Sequence, residues 1–207
     1  RRFWRYQMRL PLVVMAAVMW HWMLLPPQNG FCLRLWTSKR GCAMGFDLIR
    51  LVALTEQHGV VARTIVAASK GSVPREPGAA MFVWADGQEG TIGGGTLEFE
   101  AVKAARVALT AGSGQPLLAH IPLGPALGQC CGGSVSLLTE VYSVGDCARL
   151  QNLTDNGLPF CRRVNSNAPE PLAVSRIMAA ARGQGIQPAP GLIAGWMVEP
   201  MSPARLP

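Results

Sequence analysis

From Met44 onward, the apolar positions switch repeatedly between a spacing near 3.6 and a spacing near 2. Asp47 stands as an N-cap ahead of Leu48, Leu51, Val52 and Thr55, which fall at i, i+3, i+4 and i+7, and His58-Gly59 stops the run; this predicts a helix. Residues 60–68 are almost continuously apolar, broken only by Arg63 and Thr64, as a strand buried on both faces would be. Pro74 and Pro77 fix a loop over 72–78. A strand over 80–85 then meets Asp86-Gly87, a two-residue hairpin signal, and returns through 89–92. Gly93-Gly94-Gly95 leads into a helix over 97–111 that carries Glu98 and Glu100 in its early turns and Lys103 and Arg106 later, with Gly112 at its end. Residues 117–121 predict a short strand, and 135–141 predict another with one mainly apolar face.

Further on, the pattern predicts a strand over 158–164, a helix over 172–182 behind Pro171, and a final strand over 192–198. The tail, 200–207, holds three prolines in eight residues and reads as an extended linker. Strands interleaved with helices, with at least one hairpin, indicate an α+β domain built on a mixed sheet.

The first 43 residues follow a different pattern. Arg1, Arg2, Arg5 and Arg9 precede a mostly apolar run over 10–25 that ends at Pro26-Pro27. A basic start before an apolar stretch outlines a secretory signal or a membrane anchor, but a sixteen-residue helix would span only about 24 Å, short of a hydrocarbon core of about 30 Å. Pro11 and His21 interrupt the run, and no small-x-small cleavage site follows it. Residues 1–43 therefore read as an upstream extension with Met44 as the start of the native protein, or as an anchor. The domain is placed at 44–199.

Charge sharpens this division. The formal net charge is +7, yet 1–43 contain seven basic residues and no acid, while 44–207 contain twelve of each. The body of the protein is neutral, which excludes a phosphate-backbone binder dependent on a basic face. Six cysteines without framework spacing suit a reducing compartment, and hence the cytoplasm, better than a disulfide scaffold.

Three loops could carry chemistry. Gln129-Cys130-Cys131-Gly132-Gly133 offers thiols that can act as nucleophiles or soft-metal ligands, with glycines that let backbone approach a bound group. Adjacent cysteines chelate one metal poorly and C-x-x-C pairs are missing, so zinc is not expected; the structural alternative is two small residues at a turn. Gly93, Gly94 and Gly95 feed a helix N-terminus, where backbone N–H groups can hold an anion, although Glu98 and Glu100 would compete for the same positive end. The spacing fits neither a Walker loop nor a dinucleotide fingerprint. Arg75, pinned between Pro74 and Pro77, can fork onto phosphate or carboxylate, or can simply pair with Glu76. His58 reads as a helix-end residue and His120 as a structural one. Cys147 and Cys161 stand singly, and no triad can be assembled.

Taken in order, Lys70-Gly71-Ser72-Val73-Pro74-Arg75-Glu76-Pro77-Gly78-Ala79, Gly90-Thr91-Ile92-Gly93-Gly94-Gly95-Thr96-Leu97-Glu98 and Leu123-Gly124-Pro125-Ala126-Leu127-Gly128-Gln129-Cys130-Cys131-Gly132-Gly133 resemble successive motifs of the xanthine dehydrogenase accessory (XdhC/CoxI) family. The resemblance is close over 44–142 and looser beyond, regaining character at Gly195-Trp196-Met197-Val198-Glu199-Pro200. It implies the family's N-terminal domain without the Rossmann-like C-terminal domain that follows a proline-containing linker in the family. It also implies an accessory factor, not an enzyme, that binds the molybdenum cofactor (molybdopterin) as cargo. Such a factor supports sulfuration of the cofactor with a cysteine desulfurase and delivers it to the molybdenum subunit of xanthine dehydrogenase or a related hydroxylase. On that reading Arg75 or the glycine turn Gly93, Gly94 and Gly95 would hold the phosphate, Cys130 or Cys131 would face the metal–sulfur centre, and Gln129 would bond an oxo group or the pterin edge. A homo-oligomer fits the resemblance; nucleic acid does not, and a membrane is not expected. The rival readings are a thiol-dependent persulfide carrier or redox enzyme using Cys130 or Cys131, and an interaction module anchored through 1–43.

Overall fold

The computed structural model describes residues 45–112, 114–124, 132–154, 158–164, 167 and 169–202. Their elements run α1 (Leu48–His58), β1 (Val60–Lys70), β2 (Ala80–Val83), β3 (Gln88–Gly90), α2 (Gly95–Ala111), β4 (Leu117–Pro122), β5 (Ser134–Ser143), α3 (Val144–Thr154), β6 (Phe160–Arg163), α4 (Leu172–Gln184), β7 (Gly191–Ile193) and β8 (Trp196–Glu199).

The class is α+β, as the pattern predicts. The expected mixed sheet is instead two antiparallel ones, a five-stranded sheet in the order β3-β2-β1-β5-β4 and a three-stranded sheet in the order β6-β8-β7. The helix α2 connects β3 to β4, which are the two opposite edges of the larger sheet, so the strands it joins never become parallel neighbours.

β1 lies at the centre of that sheet, and its near-continuous apolar run is explained by burial on both faces. Ala62 and Val66 pack with Met81, Val83, Val135 and Leu137 against Leu97, Ala101, Val102 and Ala105 of α2. The opposite face meets two further clusters: Val61 with Leu51 and Leu54 of α1, and Ile65 and Ala67 with Leu138, Val164 and Met197. α1 starts where the sequence places it, with the Asp47 carboxylate accepting from Arg50 N at 2.9 Å, and ends with Gly59 N donating to Thr55 O.

α3 was not anticipated. Its start carries a reciprocal cap: the Asp146 carboxylate accepts from Ser143 N at 2.9 Å and from the Ser143 hydroxyl, while Asp146 N donates to Ser143 Oγ at 3.3 Å. These bonds, the Ser143 hydroxyl foremost, hold the Asp146 carboxyl below its ordinary range.

The hairpin signals also redistribute. Trp84 N bonds Gly87 O at 3.0 Å, so the β2–β3 turn centres on Ala85-Asp86, one residue earlier than predicted. Gly87 is needed there for space, because a Cβ would lie 2.6 Å from the Trp84 ring, which stacks on His58 at 4.3 Å. The strand predicted over 192–198 folds back on itself at Ala194 (φ 46°) and Gly195 (φ 84°), pairing Ile193 with Trp196. Paired positive φ values are what a two-residue hairpin with right-handed strand twist requires. The first residues of the 200–207 tail pair with the start of the described chain, Phe46 N donating to Pro200 O and Ser202 N to Phe46 O.

Candidate functional site

Two of the three sequence motifs, and the end of the third, meet at one end of the five-stranded sheet. That end is formed by the last residues of β1, β3 and β4 and the first residues of β2 and β5, which the antiparallel registers bring level. β1 outruns β2, whose pairing ends at Ile65–Ala80, and shifts register against β5 between Val66 and Ala68; the 71–79 loop folds back so that Gly78 N donates to Val66 O and Val66 N to Ala79 O, both at 2.9 Å.

This loop touches both of the others. On one side, Gly133 N donates to Ser72 O at 3.1 Å, and a Cβ at Gly133 would sit 2.4 Å from both the Lys70 and Ser72 carbonyl oxygens. On the other side, Gly93 lies against the Pro74 ring, where a Cβ would approach Cγ to 2.7 Å, and the Arg75 stem passes 3.8 Å away. Glycine is thus what allows backbone to meet backbone and ring here. Arg75 is exposed, and it forms no ion pair with a described carboxylate, Glu76 included. Gln129, Cys130 and Cys131 lie outside the described residues.

The glycine turn already holds an anion from its own chain. The Glu98 carboxylate accepts from Ile92 N and Gly94 N, both at 3.1 Å, from the Thr91 hydroxyl, and from Gln88 Nε2 at 3.3 Å. Burial opposes its ionisation, but the Thr91 hydroxyl and then the two backbone amides outweigh that and hold the carboxyl below its ordinary range. The competition foreseen for this helix start is resolved in favour of Glu98, and Arg75 is left as the exposed positive group beside the turn.

A second polar assembly was not foreseen. Arg63 of β1 forks onto Glu199 of β8 with bonds of 3.0 and 2.6 Å, with side chains only 1% and 0% exposed. Arg162 of β6 forks onto Glu140 of β5 and also reaches Glu199 at 2.7 Å. Arg63 and Glu140 are direct cross-strand partners, so the network ties the two sheets together with no net charge. Burial disfavours the Glu199 carboxylate, but Arg63 and then Arg162 hold its proton affinity below the ordinary range. Phe46 lies under Arg63, its ring centroid 4.8 Å from the guanidinium carbon. In the sequence, the trace of this network is Arg63 inside an otherwise apolar strand, a charge that must find a counter-charge once buried.

The remaining predicted residues are structural. His120 Nδ1 lies 3.3 Å from Ser136 Oγ in an edge strand. Cys147 is buried, with Thr55 Oγ1 at 3.4 Å, and half-buried Cys161 lies 3.4 Å from Met178 Sδ. Burial pushes both thiols up, away from the thiolate form that nucleophilic chemistry needs. Among the described residues, no group of three or more His, Cys, Asp or Glu could hold a metal ion, and no helix is long and apolar enough to cross a membrane.

With this geometry in place, comparison with known proteins becomes informative. Residues 54–121 match the XdhC and CoxI family. The matched segment is 68 of the 207 residues. It contains the Arg75 loop, the glycine turn and Glu98, and ends just before the Leu123 motif. A solved structure described as a xanthine dehydrogenase from Bacillus halodurans is similar over 58% of this chain at 20% identity, with a TM-score of 0.46. The chain covers 39% of that structure's length. No curated protein matches the chain.

Proposed function

We propose that this XdhC/CoxI-family protein is an accessory factor for xanthine dehydrogenase or a related molybdenum hydroxylase. It binds the molybdenum cofactor as cargo, shields it, supports its sulfuration with a cysteine desulfurase and hands it to the client's molybdenum subunit. The observation that carries this reading is the convergence of the family-matched loops, with Arg75 and Gly93 side by side, at the sheet end where Gly133 closes the third motif.

On this reading the residues divide the cargo's chemistry. Arg75, exposed and without an ion-pair partner among the described carboxylates, takes the phosphate by a forked, charge-assisted contact. Gly93, Gly94 and Gly95 form a wall with no side chains, kept in shape by Glu98, against which the pterin end can lie. Gln129, Cys130 and Cys131 supply the amide and soft thiols for the oxo and metal–sulfur end. The protein needs no catalytic group of its own for this task, and it works in the cytoplasm.

The test is activation of cofactor-free xanthine dehydrogenase by the cargo-loaded chain, with Cys130→Ala, Cys131→Ala and Arg75→Ala in parallel. Activation is expected to require Arg75 and at least one of the two cysteines. If all three variants activate as well as the parent, the site is misplaced. A rise in thiol reactivity near neutral pH in the absence of cargo, lost in a cysteine variant, would favour a persulfide carrier instead.

A further inference from the structure

The two edges of the five-stranded sheet differ in how they are protected. β3 is three residues long, carries Glu89 and ends in Gly90 at positive φ, features that discourage another strand from pairing with it. β4 is six residues long with no charged side chain, and its outer edge pairs with no described strand. Neither the α2 layer nor the second sheet covers β4: Leu117 is 53% and Leu118 45% exposed, on opposite faces, and Ala119 and His120 are exposed too.

We propose that β4 is the interface of a homodimer, pairing antiparallel with β4 of a second copy across a two-fold axis at Ala119 and joining two five-stranded sheets into one.

The backbone specifies this register. Leu123 N donates inward to Gly133 O, so the antiparallel alternation turns the N–H and C=O groups of odd-numbered residues toward β5 and those of Leu118 and His120 outward. The two prolines flanking these residues, Pro116 and Pro122, also fall in the outward series and have no N–H to offer. A two-fold at Ala119 sets Leu118 opposite His120 of the second copy, and Pro116 opposite its Pro122. Both outward N–H groups and both outward C=O groups between the prolines are then satisfied in each copy. Shifting the axis to His120 would set Leu118 against Pro122 of the second copy, which accepts from the Leu118 N–H but has no N–H to give, and so would strand the Leu118 carbonyl. The same register sets Leu117 against Ile121 of the second copy on the face toward α2, and with no charge in the strand, self-pairing meets no like-charge repulsion. A stable dimer usually buries about 1,200–2,000 Å² in total, so the exposed Leu117 and Leu118 side chains must contribute beside the backbone ladder.

The test uses the whole 207-residue chain. Sedimentation and light scattering over a concentration series are expected to give twice the 22.1 kDa chain mass. Leu118→Lys, an exposed substitution that leaves β5 pairing intact, is expected to weaken dimerisation at least tenfold with an unchanged circular dichroism spectrum. Amide exchange at Leu118 and His120 is expected to slow at least tenfold at dimer concentrations. A monomer at every concentration, a dimer indifferent to Leu118→Lys, or free exchange of those two amides in the dimer would overturn the proposal.

Discussion

The interior between the two sheets and the loop cluster at the sheet end solve opposite problems. Between the sheets, Arg63, Glu140, Arg162 and Glu199 are locked by mutual charge in nearly complete burial. At the sheet end, Gly71, Gly93 and Gly133 remove side chains so that loops can touch, and Arg75, beside the glycine turn, stays exposed without a described counter-charge. The paired charges fasten the two sheets to each other, and under the proposed function the unpaired Arg75 is the group that would take the ligand's anion.

The largest effect should come from breaking the interior network. Arg63→Met leaves Glu199 buried with Arg162 as its remaining partner and should cost about 3–5 kcal/mol in denaturant unfolding. Arg63→Met combined with Glu199→Met, which leaves the Arg162–Glu140 pair in place, should recover much of that loss. A single variant as stable as the parent would show that the network does not fasten the sheets.

Next come the glycines, where space and backbone conformation can be separated. Gly133→Ala forces a Cβ against two carbonyl oxygens and should cost about 2–4 kcal/mol, whereas Gly94→Ala meets open space and only the strain of a backbone at φ 75° and ψ −174° that is nearly confined to glycine, about 1–3 kcal/mol. A loss below about 1 kcal/mol at Gly133 would mean that the close approach of the first and third loops is not what holds the cluster together.

A third effect is pH dependence. Glu199 and Glu98 both ionise below the ordinary carboxyl value of 4.5, so the stability each adds is present above that value and is lost as pH falls through its lowered folded value. Unfolding free energy should therefore be flat from neutrality to about pH 5 and drop steeply below about pH 4.5. Glu98→Gln should make the drop shallower, by removing the loop contribution and leaving the interior one, which chemical unfolding at several pH values would separate.

These contrasts also explain what was readable from sequence. α1, the length of β1 and the α2 start follow from local signals: an Asp47 cap, a continuous apolar run, glycines before a helix. The second sheet was harder because its turn carries Ala194 where Asn, Asp or Gly is usual, so a hairpin passed for one strand. α3 had a Ser143-x-x-Asp146 box but only a weak apolar stripe behind it. Arg75 and the glycine turn were legible as separate motifs. Their contact depends on β1 outrunning β2, a long-range register that no local pattern encodes. Glu98 was read as a competitor for the helix start, and the structure seats it there. The Arg63 network leaves only Arg63 itself as a local sign, because its four members come from four strands of two sheets.

The smallest stability effect and the most telling binding effect meet at Arg75. Arg75→Ala should change unfolding free energy by no more than about 0.5 kcal/mol, since the side chain is exposed and unpaired among described residues. The direct test is the molybdenum and pterin content of the parent chain and of Arg75→Ala after exposure to the molybdenum cofactor and gel filtration. The account predicts co-elution of both with the parent and at least a tenfold loss in the equally stable variant. Equal retention by the two proteins, or none by a folded parent, would contradict it.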